Sequence, residues 1–556
     1  MRKVVKFFGL IASTGLALWL ARFGGVFFNA AQVASILIFS TFIYGTLLFG
    51  EFRLAFAFGG IALLMAFGLL DVPGFTEAAN LKVIVFLIGM FLVIGFLEEN
   101  QFFEHIVAMI VARVGPRPKS LLLVLMIMAT ISAALVDEVT SILFMTGTLL
   151  HLTSKYRLNP VPFVIMLVFA TNIGSAMSAI GNPIGVMIAL NAPFSFLDFL
   201  RWSAPIALVV NVVTYFICRW WFADSFRAFA EAVAVEHAQV RARAVAAKAP
   251  VRELITAGGG GGGSESADAG SAGEPSAEAQ PVLGDDFYAA GPSNEIDGLD
   301  TEQTSIVCWI VFLLTIGLLV THGLTEKWLG HLFGVVREVH NGVTVYGLKE
   351  GTMMIGAALL MGGIVLLIRR ERARELVERR VDWWTLSFFM MLFASVGTLE
   401  HTGVTGVIAQ KLISSTGGNQ FLLINIVGWA TGWLSAFLDN VLAVATFMPV
   451  VHDVRVHWAA QNPTSPGYPE SIYWLMLFGG TFMGNMTVIG STANIIAAGM
   501  LEKRGHGTIR FGYWFKIGVI VSVASMLVAT VLLGVQTHWF STPLLAVPQG
   551  EAITSH

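Results

Sequence analysis

Charge is what this 556-residue sequence has least of. Asp, Glu, Lys and Arg make up 12% of it, about half of the roughly one-quarter share found in soluble domains. That deficit excludes a large soluble enzyme. The net charge is only −3, so no basic excess points to a nucleic-acid partner. Cysteine is nearly absent: Cys218 and Cys308 both lie in apolar segments and offer neither a disulfide framework nor a metal-ligand spacing. Also missing is any obvious Lys or Arg inside the long apolar runs. What fills the chain instead is 56% hydrophobic residues at a mean hydropathy of +0.75. The composition predicts an all-α polytopic membrane protein.

A spanning helix needs about 20 apolar residues. Runs of that kind are expected at 4–21, 26–49, 53–71, 81–97, 161–180, 204–222, 305–321, 351–368, 383–399, 472–490 and 511–534. The opening "MRKVVKFFGLIASTGLALWLARFGG" has the charge pattern of a secretory signal. A first membrane span is the preferred reading, because another apolar run follows at once and no clear small-residue cleavage site does. Two further stretches, 121–152 and 421–451, are too long for one crossing and too short for two, and each has a polar centre.

Residues 223–303 differ from everything around them. An Ala/Arg-rich stretch, readable as a surface helix, runs into "GGGGGGSESADAGSAGEPSAEAQP". This is the composition of a flexible linker. Its glycines lack the strand, lysine and helix that a phosphate-binding loop requires. Basic clusters at 113–119, 155–157, 219–252 and 369–380 mark cytoplasmic segments. The first two flank 121–152, so that stretch is expected to enter the membrane and return to the same side. Irregular backbone at such a tip is tolerated only if protein or a watery cavity surrounds it.

The chain also repeats itself. "FLVIGFLEENQFFEHIVAMI" (91–110) resembles "LFASVGTLEHTGVTGVIAQK" (392–411), and "LVDEV" (135–139) resembles "FLDNV" (437–441), both at a spacing of 302 residues. "TNIGSAMSAIGNPIGVMIA" (171–189) resembles "GTFMGNMTVIGSTANIIAA" (480–498) at 309, the slip falling in the longer loop at 457–469. The organisation that follows is N-terminal helices at 1–80, a first repeat at 81–222, the cytoplasmic linker at 223–303 and connecting helices at 304–380. A second repeat at 381–535 and a tail at 536–556 complete it. Repeats with matching polar interruptions are a signature of secondary transporters, in which the copies are often inverted.

The interruptions hold the candidate site. The hairpin tips carry Asp137, Glu138, Thr140 and Ser141 in one repeat and Asp439 and Asn440 in the other. The second breaks carry Asn172, Ser175, Ser178 and Asn182, against Asn485, Thr487, Ser491, Thr492 and Asn494. Hydroxyls and amides of this kind replace water around an ion, and hard cations prefer oxygen. A Na⁺ site at Asp137, Asn182, Asp439 and Asn494 is the expectation. Intramembrane acids are costly to keep and are functional candidates by default. Burial also disfavours the charged form of a carboxylate, so Asp137 and Asp439 are candidate proton carriers. The bland alternative is that both cap hairpin half-helices. Glu138 ranks below them because its repeat partner is Asn440. Glu98, Glu400 and His401 read first as interfacial or capping residues, and the aromatic and Met content as packing.

On these stretches, together with "DWWTLSFFMMLFASVGTLEHTGV" (382–404) and "SAFLDNVLAVATFMP" (435–449), the chain resembles the ion transporter superfamily. That superfamily includes arsenite permeases, the melanosomal P protein, NhaD-type sodium/proton antiporters and, more distantly, divalent anion/sodium symporters. The resemblance covers roughly 81–222 and 381–535. It implies two inverted repeats, each with a re-entrant hairpin and a discontinuous helix, plus scaffold helices. It also implies homodimerisation, elevator-type movement and a multi-pass place in the cell (inner) membrane. The tips here read Asp-Glu-Val-Thr and Asp-Asn-Val-Leu, where dicarboxylate symporters carry Ser-Asn-Thr. The leading expectation is therefore a Na⁺/H⁺ antiporter with no resident cofactor, its partners being the lipid bilayer and a small ion. An arsenite or small-anion permease and a Na⁺-coupled dicarboxylate symporter are the alternatives. No catalytic triad, metal cluster or nucleotide motif supports a membrane enzyme.

Overall fold

The computed structural model describes residues 2–24, 26–114, 118–192, 194–248, 301–340, 343–349, 351–461, 468–539 and 544–545. The Gly-rich linker lies outside the described residues. The protein is built of helices. Among the described residues, eight helical stretches are long and apolar enough to cross a membrane. The strands among the described residues form two short antiparallel pairs, β1 (Val336–His340) with β2 (Val343–Tyr346), and Tyr468–Pro469 with Leu544–Leu545.

Helices α1 (Arg2–Ala21), α2 (Ala30–Leu48), α3 (Arg53–Ala66) and the short α4 (Val72–Ala78) come first. Asn29 and Gln32 close the start of α2 with a reciprocal capping box. The first repeat follows as α5 (Leu81–Glu99), α6 (Phe102–Val114), α7 (Pro118–Leu135), α8 (Glu138–Lys155), α9 (Val161–Ser175), α10 (Pro183–Asn191) and α11 (Ala204–Trp221). The Ala/Arg-rich stretch is helix α12 (Ala223–Lys248), which packs on α7. Two connecting helices, α13 (Thr301–Phe333) and α14 (Thr352–Arg369), and the short α15 (Ala373–Arg380) lead to the second repeat. That repeat runs α16 (Trp383–His401), α17 (Val404–Ser415), α18 (Gln420–Phe437), α19 (Asn440–Gln461), α20 (Ser471–Phe482), α21 (Thr492–Lys503) and α22 (Phe511–Trp539).

The helices of the two repeats match one for one. Each long apolar segment with a polar centre is a helical hairpin, α7–α8 or α18–α19, as the sequence pattern predicts. Each expected span at 161–180 and 472–490 is instead a helix that stops at the buried polar stretch and restarts. At the breaks, Ser178 Oγ donates to the carbonyl of Ala134, and Thr487 Oγ1 donates to that of Ala436 at 2.5 Å. Gly181 and Gly490 allow this closeness. A Cβ on Gly490 would stand 2.5 Å from the Gly484 oxygen and 3.1 Å from that of Ser435, and one on Gly181 would strike the equivalent oxygens of Ser175 and Ala133. The repeats also exchange arms: α21 packs on α8, and α10 packs on α19.

The α5–α14 pair is closely packed. A Cβ at Gly89 would lie 2.6 Å from the Ala358 carbonyl carbon, the small-residue contact by which helix backbones approach in membranes. A second equivalence sits at the far end of α5. Gly95 faces Arg380, 2.5 Å from where its Cβ would be, and Gly397 faces Ala78 in the same manner. The two glycines are 302 residues apart, and so are Ala78 and Arg380.

Candidate transport site

Four half-helices begin at the centre of the protein, each with a polar residue at its start. Asp137 caps α8, its Oδ1 accepting from the backbone N–H groups of Val139 (2.7 Å) and Thr140 (2.8 Å). Asp439 Oδ1 likewise accepts from Val441 N at 3.0 Å, at the start of α19. Asn182 Oδ1 caps α10 by accepting from Gly185 N at 2.7 Å, and Ser491 Oγ caps α21 by accepting from Ala493 N at 3.2 Å. The physical reason is the same in all four cases: a side-chain oxygen satisfies N–H groups that have no partner inside the helix.

Glu138, the first residue of α8, is the centre of the arrangement. It is 3% exposed. Its Oε1 accepts from Asn440 Nδ2 at 2.9 Å and lies 3.5 Å from Ser491 Oγ, while Oε2 accepts from Ser175 Oγ at 3.1 Å. Its own N–H donates to the Gly181 carbonyl at 3.1 Å. Glu138 therefore touches the other hairpin tip and both breaks. The donors to its carboxylate, Asn440, Ser175 and Ser491, are all neutral. The acids Asp137 and Asp439 lie close enough to act on it electrostatically.

An amide cluster backs this carboxylate. Asn172 Nδ2 donates to Asn485 Oδ1 (2.7 Å) and Asn494 Oδ1 (2.8 Å), and Asn172 Oδ1 accepts from Ser491 Oγ at 3.0 Å. Asn494 Nδ2 reaches the carbonyls of Gly484 (2.9 Å) and Thr487 (2.7 Å), and Asn182 Nδ2 donates to Ser175 Oγ at 2.8 Å. Trp514 of α22 closes the cluster by donating from Nε1 to the Asn485 carbonyl at 3.0 Å.

The structure thus brings together Glu138, Asn172, Ser175, Asn182, Asn440, Asn485, Ser491 and Asn494. Other candidates sit differently. Ser178 and Thr487 use their hydroxyls to pin the breaks to the hairpins. Ser141 is tied to Ser132, 2.5 Å away, and Thr140 contributes its N–H to the Asp137 cap. Asp137 and Asp439 are half-buried caps beside the cluster, and Thr492 Oγ1 donates to Asp439 Oδ2 at 2.9 Å. Among the described residues, no group of three or more His, Cys, Asp or Glu is placed to hold a metal ion.

The central place of Glu138 and the part of Trp514 escape sequence reasoning. Glu138 and Asn440 are equivalent positions of the two repeats, 302 apart, but that they touch is visible only in the structure. Nothing in the sequence marks Trp514.

Comparison with known proteins identifies the family. The family model described as "Citrate transporter" (CitMHS) matches residues 44–479 and 352–547. A 46 kDa membrane protein of Mycobacterium leprae is 27% identical over 454 residues, covering 81% of this chain and 85% of that protein. The P protein of Mus musculus is 26% identical over 526 residues, 89% of this chain and 59% of the mouse protein. An uncharacterized transporter of Synechocystis is 31% identical over 183 residues, 31% of this chain and 40% of its own length. With the family model covering most of its length, the chain belongs to the citrate transporter family of the ion transporter superfamily, as a multi-pass membrane transporter.

Proposed function

We propose that this transporter is a cation/proton antiporter, with Na⁺ as the cation and Glu138 as the exchanging group. The observation that carries the reading is the Glu138 carboxylate itself, buried between the two repeats and hydrogen-bonded by neutral donors. An ionised carboxylate without a cation is costly in such a place. It is stable when protonated or when a cation binds, and one group that takes either ligand exchanges them. Asn172, Ser175 and Ser491 supply further oxygens near it.

The same proposal includes inverted repeats. Counting α5, the broken α9–α10, α11, α13 and α14 as crossings, and the hairpin as none, an odd number separates the start of α5 from that of α16. The hairpin tips meet at Glu138 and Asn440, while no extended packing of one hairpin's arms on the other's occurs among the described residues. This arrangement favours entry from opposite faces. Elevator-type motion, a homodimer and the inner cell membrane complete the reading.

One observation favours a second reading, a proton-coupled small-anion permease. The N-termini of α8, α10, α19 and α21 converge on the centre, and helix N-termini attract anions. The family's description names citrate, a carboxylate.

The test is a proteoliposome assay with a trapped pH-sensitive dye. Adding Na⁺, Li⁺ or K⁺ outside is expected to alkalinise the interior, and Glu138→Gln to abolish the response. Proton movement driven by citrate or arsenite, with none driven by cations, would replace antiport by the anion reading.

A further inference from the structure

The last helices of the two repeats carry a polar pair that the candidate site does not use. "VVNVVTYF" (209–216) in α11 matches "IVSVASML" (520–527) in α22 at a spacing of 311 residues, which makes Asn211 the equivalent of Ser522 and Thr214 that of Ser525. All four are buried: Asn211 is 6% exposed and the other three are 0%. Among the described residues, Asn211 Oδ1, Thr214 Oγ1, Ser522 Oγ and Ser525 Oγ have no hydrogen-bond partner. A hydroxyl in a membrane helix commonly bonds back to a carbonyl of the preceding turn, as Thr530 of α22 does to Met526 at 2.8 Å. These three hydroxyls do not. Helices α11 and α22 pack on each other, and the ring contact of Phe222 with Tyr513 sets an antiparallel register. That register puts Thr214 level with Ser522 and Asn211 level with Ser525. One turn before Ser522, a Cβ on Gly518 would stand 2.7 Å from the Asn485 carbonyl oxygen, so the polar pairs adjoin the amide cluster.

We propose that α11 and α22 meet through bound water, at a site formed by Asn211, Thr214, Ser522 and Ser525. A buried oxygen without a partner is costly, and two equivalent pairs at matching levels concentrate that cost where the two repeats join. No direct hydrogen bond links one pair to the other. Buried water bonds to such groups, about three at a time. The amide oxygen only accepts, whereas the three hydroxyls donate or accept, so water satisfies all four. A cation fits less well, because neither helix carries an acid and a buried charge needs a compensating partner. Nothing in this site depends on which ion is carried. The contact between the last helices is a water-bridged joint rather than a dry apolar seam.

The experiment is X-ray radiolytic labelling of the full chain in lipid nanodiscs, read by mass spectrometry. Hydroxyl radicals made from bound water oxidise the side chains beside it, even where bulk solvent does not reach. Met526 adjoins Ser525 and is 0% exposed, and Met354 and Met361 of α14, each 1% exposed, are buried controls. Met526 is expected to be oxidised several-fold faster than the two controls. The double variant Thr214→Val/Ser522→Ala, which removes two of the four oxygens with little change of shape, should bring Met526 down to the control rate. Oxidation of wild-type Met526 at the control rate overturns the proposal, and so does a rate unchanged in the folded double variant. If the double variant does not fold, the wild-type comparison with the controls decides alone. Thermal unfolding of Thr214→Val gives a second readout. A hydroxyl bonded to water loses melting temperature when removed, whereas a dry, unpartnered one gains it. A rise in melting temperature overturns the proposal.

Discussion

Two adjacent acids at one hairpin tip have different roles because they point in different directions. Asp137 precedes α8 and turns back onto its N–H groups. Glu138, one position later, projects across the interface to Asn440 and Ser175. Glu138→Gln should reduce cation-driven proton flux to background while the protein still folds, because an amide fills the same volume without a titrating proton. Asp137→Asn should keep folded stability, since Asn caps as well as Asp, whereas Asp137→Ala should cost about 1 kcal/mol. Thermal unfolding of the two variants checks this. A third acid lies outside the membrane segments. Burial, reinforced by the like charge of Asp198, pushes Glu470 up to about 7 against the pull of Arg455 and Arg201. A carboxyl held above its ordinary value favours the folded state most below about pH 4.5 and loses that contribution as pH rises to about 7. Glu470→Gln should therefore stabilise the protein more at about pH 8 than at about pH 5, as read by melting temperature.

At the scale of elements, the breaks are held open by backbone packed on backbone. Gly490→Ala would place a methyl 2.5 Å from the Gly484 oxygen, and overpacking of this kind costs about 1–3 kcal/mol. Gly499→Ala in α21 meets nothing within 4 Å and should be neutral or stabilising by up to about 1 kcal/mol. Circular dichroism melts should show a clear loss for the first variant and no loss for the second. The hairpins and breaks were legible because polar residues interrupt apolar runs at matching spacings. The short α4, α6 and α17 were not, because each is too brief to stand out from the apolar segments beside it.

At the scale of the whole molecule, two copies of one plan surround a shared centre, and α13 and α14 connect them. The linker between them carries no residue of the candidate site. Deleting 256–280 should leave transport in proteoliposomes near the wild-type rate; loss of transport by a correctly inserted deletion variant would assign that segment a functional part.

Composition alone was sufficient for the membrane class, because so few charges leave too little polar surface for a soluble protein of this length. Repeat spacing alone located both hairpin tips and both breaks, because a polar residue inside an apolar run is conspicuous wherever the chain later folds. Which acid occupies the centre was decided only by tertiary structure. The direction of a side chain depends on its place in the helix turn, and a contact between residues 302 apart depends on how two repeats face each other. The pairing of Arg380 with Glu98, and of Ala78 with the other copy, belongs to the same class: each residue was visible in the sequence, but its neighbour was set by packing.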